Sequence, residues 1–198
     1  MGFLRRRAAS EPAAPGGDRW LHLPDPPMSE ELKREQSGDI PEHGLVRPVW
    51  TERDFPALGW HDASVWAFEI QHGEYFDEES QFVPTGRVVL DLDYITRWVH
   101  PRKSREPFTF WVAPCTLVFS GVTELELDLK TAGTGPHEID DIHPVQDGWH
   151  VAGHEFDMKL AATGFRQTFR QRPVHTDGQT LGLTARGGYS YNDEPTTL

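Results

Sequence analysis

Cysteine is nearly missing from this chain: Cys115 is the only one in 198 residues. That excludes an intrachain disulfide framework and any zinc site built from thiolates alone. No apolar run approaches the ~20 residues of a membrane-spanning helix. Basic residues are outnumbered, 19 Lys and Arg against 31 Asp and Glu, for a formal net charge of -12. Such a balance speaks against nucleic acid as a partner, because phosphate binding needs neutralisation by Lys and Arg. Helical periodicity is almost absent. So is a nucleophile elbow of the G-x-S-x-G kind, and "TAGTGP" (131–136) lacks the G-K-[ST] that would make it a phosphate loop. The "RRR" at 5–7 is followed by "AASEPAAPGG" and not by an apolar stretch, so no signal peptide is expected and the expected location is the cytoplasm. Neither a cofactor nor a membrane association is expected.

What is present is a run of short segments with period-2 alternation between Gly, Pro and Asp punctuation. "RVVLDLDYI" (87–95) sets Val88, Leu90, Leu92 and Tyr94 against Asp91 and Asp93. "VTELELDLK" (122–130) turns Leu125, Leu127 and Leu129 inward and Glu124, Glu126 and Asp128 outward. "SVWAFEI" (64–70) places Trp66, Phe68 and Ile70 on one face. "FTFWVAPCTLVF" (108–119) is apolar throughout, as suits a central strand covered on both faces, broken or bulged at Pro114, with Cys115 as a small buried hydrophobe. "EIDDIH", "GWHVAGH" and "EFDMKLAATGFRQTFR" complete the series, with "QDG" as a hairpin signal. "YITRWVHP" is either a strand end or one helical turn. The pattern predicts an all-β domain over 47–175, a mainly antiparallel β-sandwich or open barrel of about seven to nine strands. Residues 1–46 read as a disordered tail, with translation expected to start at Met28, and 176–198 as a loosely ordered tail on which "GGYSY" is a candidate to lie back on the sheet.

The chemistry-bearing residues crowd into "PHEIDDIHPVQDGWHVAGHEFDM" (136–158). His150 and His154 have the four-residue spacing of two metal ligands on a helix, but on a strand they stand ~13 Å apart. Ile139 and Ile142 have odd separation, which predicts a bulge near Asp140 and Asp141. The best conceivable metal-ligand set is therefore His61, Asp140, Asp141 and His143, the group a metal-dependent hydrolase or small-molecule enzyme would use. In "GWHD", Trp60 is expected to pack inward and Asp62 to tie down the loop before the first long strand. No catalytic constellation emerges. As binding residues the sequence offers His61 and Asp62, together with Tyr75, Phe76, Asp77, Glu78 and Glu79 of the long aromatic-acidic loop 72–86.

"FPALGWHDASVWAF", "LDLDYITRWVHP", "FWVAPCTLVF", "EIDDIH" and "ATGFRQTFRQRP" together resemble a family of small bacterial proteins of unknown function, over about residues 50–173. The "WHDA" entry into an antiparallel sheet is similar to some immunity proteins of polymorphic-toxin systems. Neither resemblance implies a catalytic residue. The expectation that follows is a protein-binding, immunity-like module that takes a basic protein partner by electrostatic steering. A self-associating structural protein is the further alternative, and the oligomeric state stays open.

Overall fold

The alternating segments become strands. The structure, a computed structural model, describes residues 41–76, 82–84, 86–101, 105–130 and 135–197. Among these residues lie β1 (Val49–Thr51), a 3-10 helix (Glu52–Ala57), β2 (Ser64–Gln71), β3 (Glu74–Phe76), β4 (Phe82–Pro84), β5 (Arg87–Val99) and β6 (Thr109–Ser120). They are followed by β7 (Glu124–Leu129), β8 (His137–Val145), β9 (Gly148–Gly153), β10 (Phe156–Ala161), β11 (Gly164–Phe169) and β12 (Val174–Thr176). The fold is all-β and antiparallel, as the alternation predicts. Four of the strands, β1, β3, β4 and β12, have three residues each, too few to show a period; the other eight match the expected number.

The hydrogen-bonded order is β1-β11-β6-β5-β2-β8-β9-β10-β7, with β12 beside β6 and with β3 and β4 as a separate ribbon. At the seam between β2 and β8 only Ser64–Glu138 and Val65–His137 are paired. There the sheet folds over on itself. The first layer holds β1, β11, β6, β5 and β2; the second holds β8, β9, β10 and β7. Their inner faces share one core, to which the first layer gives Val88, Leu90, Leu92, Leu117 and Phe119 and the second gives Ile139, Ile142, Val151, Met158 and Leu160. Aromatic rings join the layers, since Trp149 of β9 lies 5.0 Å from Phe165 of β11, edge to face. Burial pushes the Cys115 thiol above its ordinary range, consistent with a residue that only packs.

On β7 the leucines pack against the core and the acidic residues are exposed. Leu127 lies opposite the buried Met158. Leu127→Asp is therefore expected to cost roughly 3 kcal/mol, and Glu126→Lys less than about 1 kcal/mol. Equal urea midpoints for the two variants would contradict this facing.

Three expectations need correction, each for a local reason. Trp66 does not share a face with Phe68. The register slips between Val65 and Ala67, so Trp66 bulges to the outer side, donates from Nε1 to Asp93 at 2.8 Å and leaves Phe68 against the core. Pro114 neither breaks nor bulges β6, whose pairing with β5 is regular there. It sits where the partnership with β11 ends at Cys115 and that with β12 has yet to begin, so no ladder requires its missing N–H. The irregularity lies instead at Thr96 on β5, within a strand that continues to Val99 with no helical turn.

The third correction concerns Asp91, Asp93 and residues 177–197. Both carboxylates, although on the polar side of β5, are fully buried. The C-terminal segment has no strand beyond β12, yet it lies over the outer face of the first layer and inserts Arg186, whose side chain is wholly buried. Arg186 grips Asp91 with both terminal nitrogens at 2.6 and 2.9 Å and Asp93 through Nε at 3.1 Å. Arg170 adds a second guanidinium on Asp91 at 2.6 Å and also donates to the carbonyl of Ser190. The backbone N–H groups of Leu181 and Ser190 donate to Asp93 and Asp91 at 2.7 and 3.0 Å. Burial disfavours the charge on Arg186, but Asp91 and Asp93 outweigh it and shift the guanidinium pKa upward. "GGYSY" does lie back on the sheet, for Tyr191 donates its hydroxyl to the Phe68 carbonyl at 3.0 Å.

Candidate binding face

The two layers differ on their outer sides. The first is closed by the segment just described. The second, formed by β8, β9, β10 and β7, presents its polar side chains to solvent. Register places them in rows across the strands: Asp128 beside Asp157, Glu126 beside Lys159 and Lys159 beside His150, then His150 beside His143. Glu124, Glu126, Asp128, Asp141 and Lys159 are exposed, and Asp157 is half-exposed. Lys159 is the one Lys or Arg in those rows, and its Nζ stands 3.9 Å from Asp157. At the outer edge β7 pairs with β10 alone among the described residues, and its alternating carboxylates are the kind of charge that keeps an open edge from indiscriminate pairing.

A polar chain crosses the centre of this face. His150 Nε2 lies 2.6 Å from Asp157, its Nδ1 lies 3.0 Å from His143 Nε2, and His143 Nδ1 lies 3.7 Å from Asp141. The two histidines are direct cross-strand partners, placed so by the two-residue hairpin turn in which Asp147 takes a left-handed backbone (φ 64°). The predicted bulge is present between Ile139 and Asp141, which lets Ile139 and Ile142 both point inward.

That bulge also separates the expected metal set. Asp140 leaves the face sideways to meet His154 Nδ1 at 3.1 Å, whereas Asp141 stays with His143. His154 can reach it because β9 ends at Gly153, where a side chain would collide: a Cβ there would stand 2.5 Å from the Glu138 carbonyl. His61 is paired to its own neighbour Asp62 at 2.9 Å. Among the described residues no group of three or more His, Cys, Asp or Glu converges, as the closed or three-ligand site of a metal-dependent hydrolase would require. His150 and His154 stand apart, as strand geometry predicts, each with a carboxylate of its own.

The "GWHD" loop behaves as its residues suggest. Trp60 is buried and donates from Nε1 to Gln167 at 2.7 Å. Asp62, in a left-handed conformation (φ 65°), accepts from Gln179 of the C-terminal segment at 2.9 Å. Burial, then the hydrogen bond and charge of the neighbouring Asp62, push the Glu138 carboxyl above the ordinary glutamate range. The folded state thus holds the Glu138 proton more tightly than the unfolded chain does, and ionising it opposes folding at neutral pH. Glu138→Gln is expected to raise the melting temperature slightly at pH 7. The gain should fade as pH falls through the range of an unperturbed glutamate, about 4.3. Melts at both pH values check the sign.

Of the loop residues singled out for binding, Tyr75 and Phe76 lie on β3, paired with β4 as a ribbon and not as an irregular connection; Asp77, Glu78 and Glu79 lie outside the described residues. Sequence reasoning missed His150 as the partner of His143 and Asp157 as the partner of His150. A register count from the hairpin would have found the first, since pairing Val145 with Gly148 carries His143 to His150. One groove of about 440 Å³ opens beside the hairpin, lined by Gly121, Thr123, Gly148, Trp149 and Thr163 with Asp147 as its titratable side chain. Among the described residues, no helix is long and apolar enough to cross a membrane. No family model, curated protein or solved structure matches this chain.

Proposed function

We propose that this chain is a protein-binding module of the immunity type, acting in the bacterial cytoplasm, whose open second layer docks a basic protein partner and neutralises it. The observation that carries the reading is the asymmetry of the two outer faces. Glu124, Glu126, Asp128, Asp141 and Asp157 spread over three strands of one face with Lys159 as the cation in its rows, while Asp91 and Asp93 of the other layer are buried and compensated by Arg186. A rigid sheet face of one sign raises the encounter rate with a partner of opposite sign and rejects acidic competitors. Carboxylates on β7 stand on a strand whose inward leucines pack against the core, so the backbone that carries them needs no ordering on binding.

The test is affinity capture from the native cell with the wild-type chain and with a Glu124→Lys/Glu126→Lys/Asp128→Lys variant, read by mass spectrometry and repeated at raised salt. A basic protein retained by the wild type, released by salt and lost by the variant supports the reading. Capture indifferent to both would overturn it.

A further inference from the structure

We propose that His143 and His150 form a surface site for a single borderline divalent transition-metal ion, copper(II) or zinc, with Asp141 and Asp157 as its supporting carboxylates. This goes beyond the docking role and does not depend on it. The two imidazoles face each other across β8 and β9, with Nε2 of His143 and Nδ1 of His150 only 3.0 Å apart. Two nitrogens bound tetrahedrally at the usual zinc–nitrogen length of about 2.0–2.1 Å stand roughly 3.3 Å from one another, so a small rotation of either ring opens the position.

The distal nitrogens supply the stronger argument. A metal-bound imidazole is normally oriented by a carboxylate on its other ring nitrogen; His150 has that hydrogen-bonded partner here, and His143 has a carboxylate within ion-pair distance. His150 Nε2 holds Asp157 at 2.6 Å, and His143 Nδ1 faces Asp141 at 3.7 Å. In the tautomer in which His150 donates from Nε2 to Asp157, its Nδ1 is a lone pair that accepts the Nε2 proton of His143. Metal entry needs that proton out of the gap. It moves to Nδ1 of His143, on the side that faces Asp141, so no net proton is released. Two protein donors leave the remaining positions to water, and imidazole donors favour copper(II) over zinc in the usual affinity order. His143 has nearly half its side chain exposed, which gives the ion access.

The test is calorimetric titration of the full chain with copper(II) and with zinc, joined to electron paramagnetic resonance of the copper form. One saturable ion per chain is expected, with two nitrogen donors in the spectrum. His143→Ala and His150→Ala should each abolish it, and Asp157→Asn should weaken it about tenfold or more. His154→Ala, which removes a carboxylate-paired histidine outside the site, should leave it intact. His143→Gln keeps a hydrogen-bonding group between the strands and separates loss of metal from loss of fold. Absence of saturable binding, survival of binding in the double His143→Ala/His150→Ala variant, or a spectrum without two nitrogens would overturn the site.

Discussion

Arg186→Met should destabilise the protein by about 3–5 kcal/mol, because it leaves buried carboxylates without their main cation. Asp91 and Asp93 are fully buried. Arg170 remains on Asp91, but Asp93 loses the one ion-pair partner it has among the described residues. For a chain of this size the loss corresponds to a fall in melting temperature of roughly 10 °C or more. The control is Arg87→Ala. Its salt bridge to Asp193 is nearly as short, at 3.0 Å, but both side chains are more than a third exposed, and the expected cost is below about 1 kcal/mol. Thermal melts of the two variants decide whether burial, and not the count of ion pairs, sets the effect. A neutral Arg186→Met would mean that the outer face of the first layer is open to water.

Ending the chain at Thr176 should have a still larger effect, by a different route. Removal of the segment re-solvates Asp91 and Asp93, so their desolvation cost disappears with it. What is lost is the small apolar cluster of Leu181 with Ile95, Phe110 and Val112, and the hydrogen bonds from Leu181, Ser190, Tyr191 and Gln179 to the sheet and to Asp62. Burial of one leucine contributes about 1.5–3 kcal/mol and each such hydrogen bond about 1 kcal/mol, which together reach roughly 5 kcal/mol or more. Total stabilities of about 5–15 kcal/mol leave little margin beyond that. The truncated chain should keep a β-type far-ultraviolet spectrum and show a broad, early melt. A sharp melt at the full-length temperature would contradict the sealing role of residues 177–197.

The parts of this fold that were legible in the sequence are those set by local alternation. "ELELDL" assigned its own faces, and the odd spacing of Ile139 and Ile142 announced the bulge that the register contains. Legibility failed where one residue more or less reverses a face: the slip at Trp66 is invisible in "SVWAF", because an apolar residue suits either side. It failed again where compensation comes from far away. Asp91 and Asp93 look like the wet side of a half-buried strand, and their partner Arg186 lies 95 positions from Asp91 in a segment without period. No local pattern links the two. In the candidate site, the acidic rows of β7 were readable and the His143–His150–Asp157 chain was not. That chain depends on counting register through two successive hairpins, not on motif spacing.

Carbodiimide-driven footprinting of carboxyl groups on the full chain, read by mass spectrometry alone and after capture of a partner, tests the central claim most directly. In the free protein Glu124, Glu126, Asp128 and Asp141 should label fast, while Asp91 and Asp93 stay protected until the protein is unfolded. In the captured complex the first group should become protected and nothing else on the surface should change as much. Fast labelling of Asp91 and Asp93 in the free chain, or a partner that leaves the β7 carboxylates as reactive as before, would contradict the account.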